Sequence, residues 1–280
     1  MIQRNSIWGS VMKDVSEQAV LRAVAAMHDR MGEQLTVDDM ARAAMFSKFH
    51  FTRIFRRVTG VSPARFLSAL RLQRAKDLLI TTSMNVADIS VRVGYNSVGT
   101  FSWRFSRSVG MSPTAFRRHA GYTQSIHPHF EWRSGRSPSG RVSCQVRLAE
   151  DDDQALIFVG LFSGRIPEGR PARCAVLQQP GWVHFDAVPL GSWYVLAQSV
   201  SADSDGADPN ADVADRAVSV ATYGPLTVRA DSKVTADLVL RRSSALDPPV
   251  LLALLDARKY ALSQAQHGGT AMRDRVGAAA

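Results

Sequence analysis

Cysteine is nearly absent from the chain: Cys144 and Cys174 are the two in 280 residues. Two thiols cannot build a disulfide framework, and each lies in an apolar stretch where a buried, reduced side chain is expected. Long hydrophobic runs are missing as well. The opening MIQRNSIWGSVMKD has no continuous apolar core of the signal-peptide kind, and no later run reaches the roughly 18 apolar residues of a membrane helix. A soluble cytoplasmic protein with no membrane partner is the expectation. Acidic residues are scarce in the first half only. Residues 1 to 140 carry 20 basic and 9 acidic side chains, against 14 and 16 in residues 141 to 280. A formal charge of +9 gathered at one end suits a polyanion bound there.

The residues that catalysis or metal binding requires are equally sparse. His127, His129 and Glu131 alternate in HPHFE without a convincing fourth ligand, so no metal is expected. His184 stands near Asp186, but no nucleophile-and-base arrangement accompanies them. The acidic stretch SADSDGADPNADVAD reads as a flexible surface loop, since it lacks the ligand spacing of a calcium loop. Neither an enzyme nor a cofactor is predicted.

What is present divides the chain into an all-α part and a β part. From Val15 to about Arg118, apolar residues recur every three or four positions, as in VSEQAVLRAVAAMHDRM and ARFLSALRLQRAKDLLI. That period buries one face of each helix. Glycines at 32, 60, 94 and 110 divide the helices into short pieces, which predicts a compact helical domain over 15–120. HPHFEWRSGRSPSGR then opens a linker or long loop assigned to 121–153. Beyond it, ALIFVGLFS, RCAVLQ, WVHFDAV, SWYVLAQSV, AVSVATY, LTVRA and VTADLVLR alternate between turn residues. Seven short runs predict a small antiparallel β-sandwich over 154–265. PPVLLALLDARKYALSQA is expected to add a closing helix.

The helical part repeats itself. VDDMARAAMFSKFHFTRIFRRVTGVSPARF (37–66) aligns with VADISVRVGYNSVGTFSWRFSRSVGMSPTAF (86–116), with one extra residue in the central turn of the second copy. Each copy sets an Asp before an apolar residue (Asp39 and Met40; Asp88 and Ile89), then a turn, then phenylalanines four apart (Phe51 and Phe55; Phe101 and Phe105). Residues four apart share a helix face, so the phenylalanines point inward and each copy is a helix-turn-helix unit. The outward faces then hold Lys48, Phe49, Thr52 and Arg53 in one unit, and Val98, Gly99, Ser102 and Trp103 in the other. A helix presenting such residues can enter a major groove and touch base edges. Arg56, Arg57, Arg107, Arg117 and Arg118 lie nearer the helix ends, where phosphate contact is expected. Ser62-Pro63 and Ser112-Pro113 suit the start of a following helix, with Phe66 and Phe116 folding back to close each core.

This double unit resembles the DNA-binding domain of the arabinose-regulator (AraC/XylS) family of bacterial transcription factors. The likeness rests on the ARA–L–L helix, the turn at Val93 to Tyr95, the F-x-x-x-F spacing and the G-x-S-P-x-x-F endings, and covers roughly residues 15 to 120. The resemblance implies two recognition helices in successive major grooves of double-stranded DNA, and carries base contact to the eight outward residues. It departs from the family's common order, in which this domain follows an effector domain. The second helix also offers few polar base-reading groups, so the first unit is expected to supply most specificity. VHFDAVPLGSWYVLAQSV resembles, over a short span, a transthyretin-like or carboxypeptidase-regulatory-like sandwich. Arg165, Arg170 and Arg173 are candidates to line an anion or small-ligand pocket. RNA polymerase, a small-molecule effector and a second copy of the chain are the further partners considered. The alternative reading is a ligand- or protein-binding sandwich with a nonspecific basic DNA tether.

Overall fold

The computed structural model describes residues 3–123, 138–150, 152, 155–201, 218–252 and 254–255. Its first half is a helical bundle: α1 (Gln3–Asp29), α2 (Val37–Ala43), α3 (Lys48–Thr59), α4 (Pro63–Thr81), α5 (Val86–Arg92), α6 (Val98–Val109) and α7 (Pro113–Arg118). The repeat in the sequence is a repeat in space. Units α2–α3 and α5–α6 have matching helix lengths of 7 and 12 residues, and left-handed Gly60 and Gly110 end α3 and α6. Phe51, Phe55 and Phe66 meet at ring separations of 5.4 Å each, while Phe101, Phe105 and Phe116 meet at 5.6 and 5.5 Å. All six rings are buried, and such tilted and edge-on contacts suit the aromatic quadrupole. Ser62 and Ser112 cap α4 and α7, with Pro63 and Pro113 in the first turn. Proline is tolerated there because its missing N–H would have no helical partner.

The second half is a β-sheet domain. Strands β2 (Ser139–Leu148), β3 (Ala155–Phe162), β4 (Arg173–Leu177), β5 (Gly181–Pro189), β6 (Gly191–Ser201), β7 (Val218–Val228) and β8 (Lys233–Arg242) follow in the order β4-β3-β6-β7-β8-β2-β5. Pairing is antiparallel except between β2 and β8. Only Ser219–Arg242 and Val220–Arg241 join β7 to β8 in register. Inward residues from both halves of the sheet, among them Ile157, Val159, Val195, Val142, Val146 and Leu238, form one core. The expected class therefore holds, a helical bundle followed by an antiparallel sheet domain, with one parallel pair added. A two-stranded parallel ribbon, β1 (Tyr122–Thr123) with β9 (Leu254–Leu255), ties the end of the bundle to the chain's later part.

Three local expectations are corrected. The segment assigned to a linker contains β2, a central strand whose alternating burial matches RVSCQVRL. The runs AVSVATY and LTVRA are one strand, β7, because Gly224 and Pro225 lie opposite a register shift between Trp193 and Val195. A bulge admits the proline without a broken ladder bond. Of the expected closing helix, residues 248–252 are described and are not helical, Leu254 and Leu255 are strand, and residues 256–265 lie outside the described residues, as do HPHFE and most of the acidic stretch.

The two halves share apolar packing. Ile166, in the β3–β4 loop, and Leu251, after β8, are buried in the cluster formed by the helices. Gly169 N–H donates to Ser108 C=O at 2.7 Å, and Leu251 N–H to Pro167 C=O at 3.1 Å. Ser108 belongs to the last turn of α6, whose carbonyls lack intrahelical partners, so the β3–β4 loop completes that helix end. Gly169 has φ 71°, and an added Cβ would lie 3.2 Å from Arg107 C=O. No helix among the described residues is long and apolar enough to cross a membrane.

Candidate nucleic-acid interface

The first unit is built around a tight cap. Thr36 N–H donates to Asp39 at 2.9 Å and Asp39 N–H to the Thr36 hydroxyl at 3.2 Å, a reciprocal capping box. The Thr36 hydroxyl and N–H hold the Asp39 carboxyl down at about 2, with Arg42 adding to the effect. α2 then turns through left-handed Met45 into α3. The inward phenylalanines fix the rotation of α3, so Lys48, Phe49 and Arg53 are left exposed and Thr52 half-buried. Phe49 is 90% exposed, an unusual state for a large apolar side chain on a helix. Lys48 Nζ pairs with Asp38 at 2.8 Å, and the Arg53 guanidinium stands 3.4 Å from His50 Nδ1. Thr52 Oγ1 donates back to Lys48 C=O at 2.8 Å.

The second unit repeats the design with different chemistry. Asn85 caps α5 and Ser97 caps α6. Val98, Gly99 and Trp103 are exposed, Ser102 is half-buried, and Trp103 is 61% exposed with Arg107 over its ring at 5.4 Å. Trp103 occupies the place of Arg53 in the aligned units. The structure thus brings the eight outward residues together in two groups, one polar and basic, the other apolar.

The flanking arginines fall into two classes. Arg56, Arg57, Arg107 and Arg118 are exposed, with Arg57 donating to the Ser16 hydroxyl at 3.1 Å. Arg117 is half-buried and donates to Leu79 C=O at 2.9 Å and to Thr82 and Met84 C=O at 3.3 and 2.5 Å. Its guanidinium joins the end of α4 to the start of the second unit. Arg165, Arg170 and Arg173 have different surroundings. Arg165 lies against Gly60 and over the Tyr194 ring, and Arg173 donates to Ala172, Asp186 and Ala187 carbonyls. Arg170 lines a cavity between the two halves of the molecule, together with Arg104. Arg104 was not singled out from the sequence; its place directly after Trp103 gave no signal of that cavity.

His184 Nδ1 lies 2.9 Å from the Ser143 hydroxyl across β2 and β5, but Asp186 pairs with Arg141 at 3.0 Å rather than orienting the imidazole. Trp182 stacks on the same imidazole, making this a cross-strand contact on the sheet's surface. Burial pushes Cys144 up to about 12 and also raises Cys174, which disfavours thiolate chemistry at either. Among the described residues no group of three or more His, Cys, Asp or Glu is placed to hold a metal ion.

Comparison with known proteins converges on the helical half. A family model described as a helix-turn-helix domain matches residues 40–119. The lactose operon transcription activator of Staphylococcus xylosus is 31% identical over 110 residues, 39% of this chain and 39% of that protein. The transcriptional activator AarP of Providencia stuartii is 31% identical over 84 residues, 30% of this chain and 62% of that protein. The chain thus spans less than two thirds of either relative. An AraC-type regulator structure from Chromobacterium violaceum aligns at 28% identity over 38% of this chain and 94% of that one, with a TM-score of 0.36. The helical half of this chain is a helix-turn-helix domain, similar over that half to proteins named as transcriptional activators.

Proposed function

We propose that the protein is a sequence-specific DNA-binding transcriptional regulator of the AraC/XylS kind, acting in the cytoplasm, with α3 and α6 in adjacent major grooves. One observation carries this reading: six of the eight outward residues are exposed, with Thr52 and Ser102 half-buried, while the phenylalanines that fix the rotation of each helix are buried. Lys48, Thr52 and Arg53 would make the polar base contacts, Arg53 reading guanine acceptors and Phe49 meeting thymine methyls. Val98, Gly99, Ser102 and Trp103 would add packing and shape. Arg56, Arg57, Arg107 and Arg118 would contact phosphates. The relatives named as transcriptional activators support transcriptional control. The sheet domain, which begins with β2, is the regulatory or oligomerising part, with RNA polymerase, a second copy and a small effector as partners.

Genome-wide occupancy of the tagged protein beside an Arg53→Ala version, followed by footprinting at the strongest site, tests this. A shared motif spanning two adjacent grooves and lost in the variant is the expected result. Equal affinity for promoter and scrambled DNA would instead mark the basic half as a nonspecific tether, bound through counterion release.

A further inference from the structure

A cavity of about 770 Å³ lies where the β3–β4 loop docks on the bundle. Its volume falls within the roughly 300–1,000 Å³ typical of small-molecule sites. Among the described residues, four arginines line it, Arg65 from α4, Arg104 and Arg107 from α6, and Arg170 from the loop, with one carboxylate, that of Glu168. That carboxylate already has two donors: Arg65 donates to one oxygen at 2.9 Å and the Ser108 hydroxyl to the other at 2.9 Å. Ser68 accepts from Arg104 at 2.9 Å, which aims that guanidinium along the wall. Leu72, Ile166 and Leu251 supply an apolar floor, and Trp103 stands at the rim beside Arg107.

From this arrangement we infer that the cavity is a binding site for a small multivalent oxyanion, a phosphorylated or polycarboxylate metabolite, that displaces Glu168 from Arg65. The cationic excess of the lining supplies the attraction, and arginine's planar donors suit phosphate and carboxylate alike. The site joins the two halves of the protein, so its occupant alters how the loop holds the end of α6 and the setting of Trp103. This last consequence rests on the proposed DNA reading, whereas binding of the anion does not.

The test is isothermal titration calorimetry on the full-length protein without DNA, with pyrophosphate in one arm and citrate in the other, at constant ionic strength. One saturable site per chain is expected, the tighter arm distinguishing phosphate from carboxylate chemistry. Arg104→Ala and Arg170→Ala should each weaken binding about tenfold, and Glu168→Gln should tighten it by about the same factor, as charge-assisted contacts are lost or freed. Thermal melts of each variant establish that it remains folded, and agreement between the two arginine variants guards against damage at one position. Heats no different from matched sodium chloride, or affinities unchanged in both arginine variants, would overturn the proposal. So would full displacement of the anion by scrambled duplex, which would make these arginines a DNA-phosphate surface. Loss of operator recognition in Arg53→Ala with anion binding intact separates the two readings.

Discussion

Met45 and Gly94 occupy the same place in the two helix-turn-helix units, and both are left-handed, with φ of 59° and 85°. The conformation costs a side-chain-bearing residue about 1–2 kcal/mol. Met45 bears that cost with its side chain in solvent, but Gly94 has no such freedom. A Cβ there would lie 2.4 Å from Met31 C=O and 2.7 Å from the Arg71 guanidinium, which itself donates to Met31 and Glu33 carbonyls at 2.9 and 2.6 Å. Gly94→Ala should therefore destabilise the protein by at least about 1–2 kcal/mol, read by urea denaturation. A variant as stable as the parent would show that this turn tolerates a side chain.

Tyr95 follows Gly94 as Phe46 follows Met45. The Tyr95 ring packs on Phe101 at 5.4 Å, while its buried hydroxyl has no hydrogen-bond partner among the described residues. Tyr95→Phe restores the residue of the first unit and removes that unpaired group. Stability should rise by about 1 kcal/mol, and a marked fall in melting temperature would reveal a partner for the hydroxyl.

Ile166 crosses from the sheet domain into the helical core. Truncation to Ala should cost about 2–5 kcal/mol. Calorimetry of the parent should give one transition for both halves, and the variant should lower it. A variant that shifts the sheet alone would mean that the helices hold their core without this side chain.

Lys76 is buried, and its ammonium donates to Val250 C=O at 2.9 Å and Gln73 Oε1 at 3.2 Å. Burial lowers it to about 8 from 10.5, opposed by Asp77. Between those values the unfolded chain holds the proton and the folded chain does not, so this lysine's contribution to stability rises with pH from about 8 to 10.5. Melting curves across that window should slope upward more in the parent than in Lys76→Met. Parallel curves would place the lysine's proton elsewhere.

Asp39 shifts in the same direction, at the acid end of the scale. Its folded value of about 2 lies below the ordinary 3.8, so its cap is in force above pH 4 and is lost as pH falls through 2. Asp39→Asn should flatten acid unfolding over that window, followed by circular dichroism.

The helical half was legible because its information is local. Phenylalanines four apart, serine-proline caps and glycine ends each act within one turn of chain, and two copies of one pattern confirmed the phase. The sheet was less legible where composition misled. β2 follows a stretch rich in Arg, Ser, Gly and Pro, and its alternation was absorbed into the linker, while Gly224 and Pro225 resembled a break because a bulge leaves no trace in a single strand's pattern. The contacts of Arg117, and the cavity of Arg65, Arg104 and Glu168, depend on residues dozens of positions apart. Nothing in hydrophobic period encodes such meetings.

The burial of Leu251 among the helices also orders events during synthesis. A chain that emerges from its amino end presents all seven helices well before Leu251 exists. Until then the bundle carries an apolar socket facing solvent, and the closing contact spans most of the molecule's sequence, the kind of long-range closure that slows folding. The half with the most local sequence logic is thus among the last to be completed.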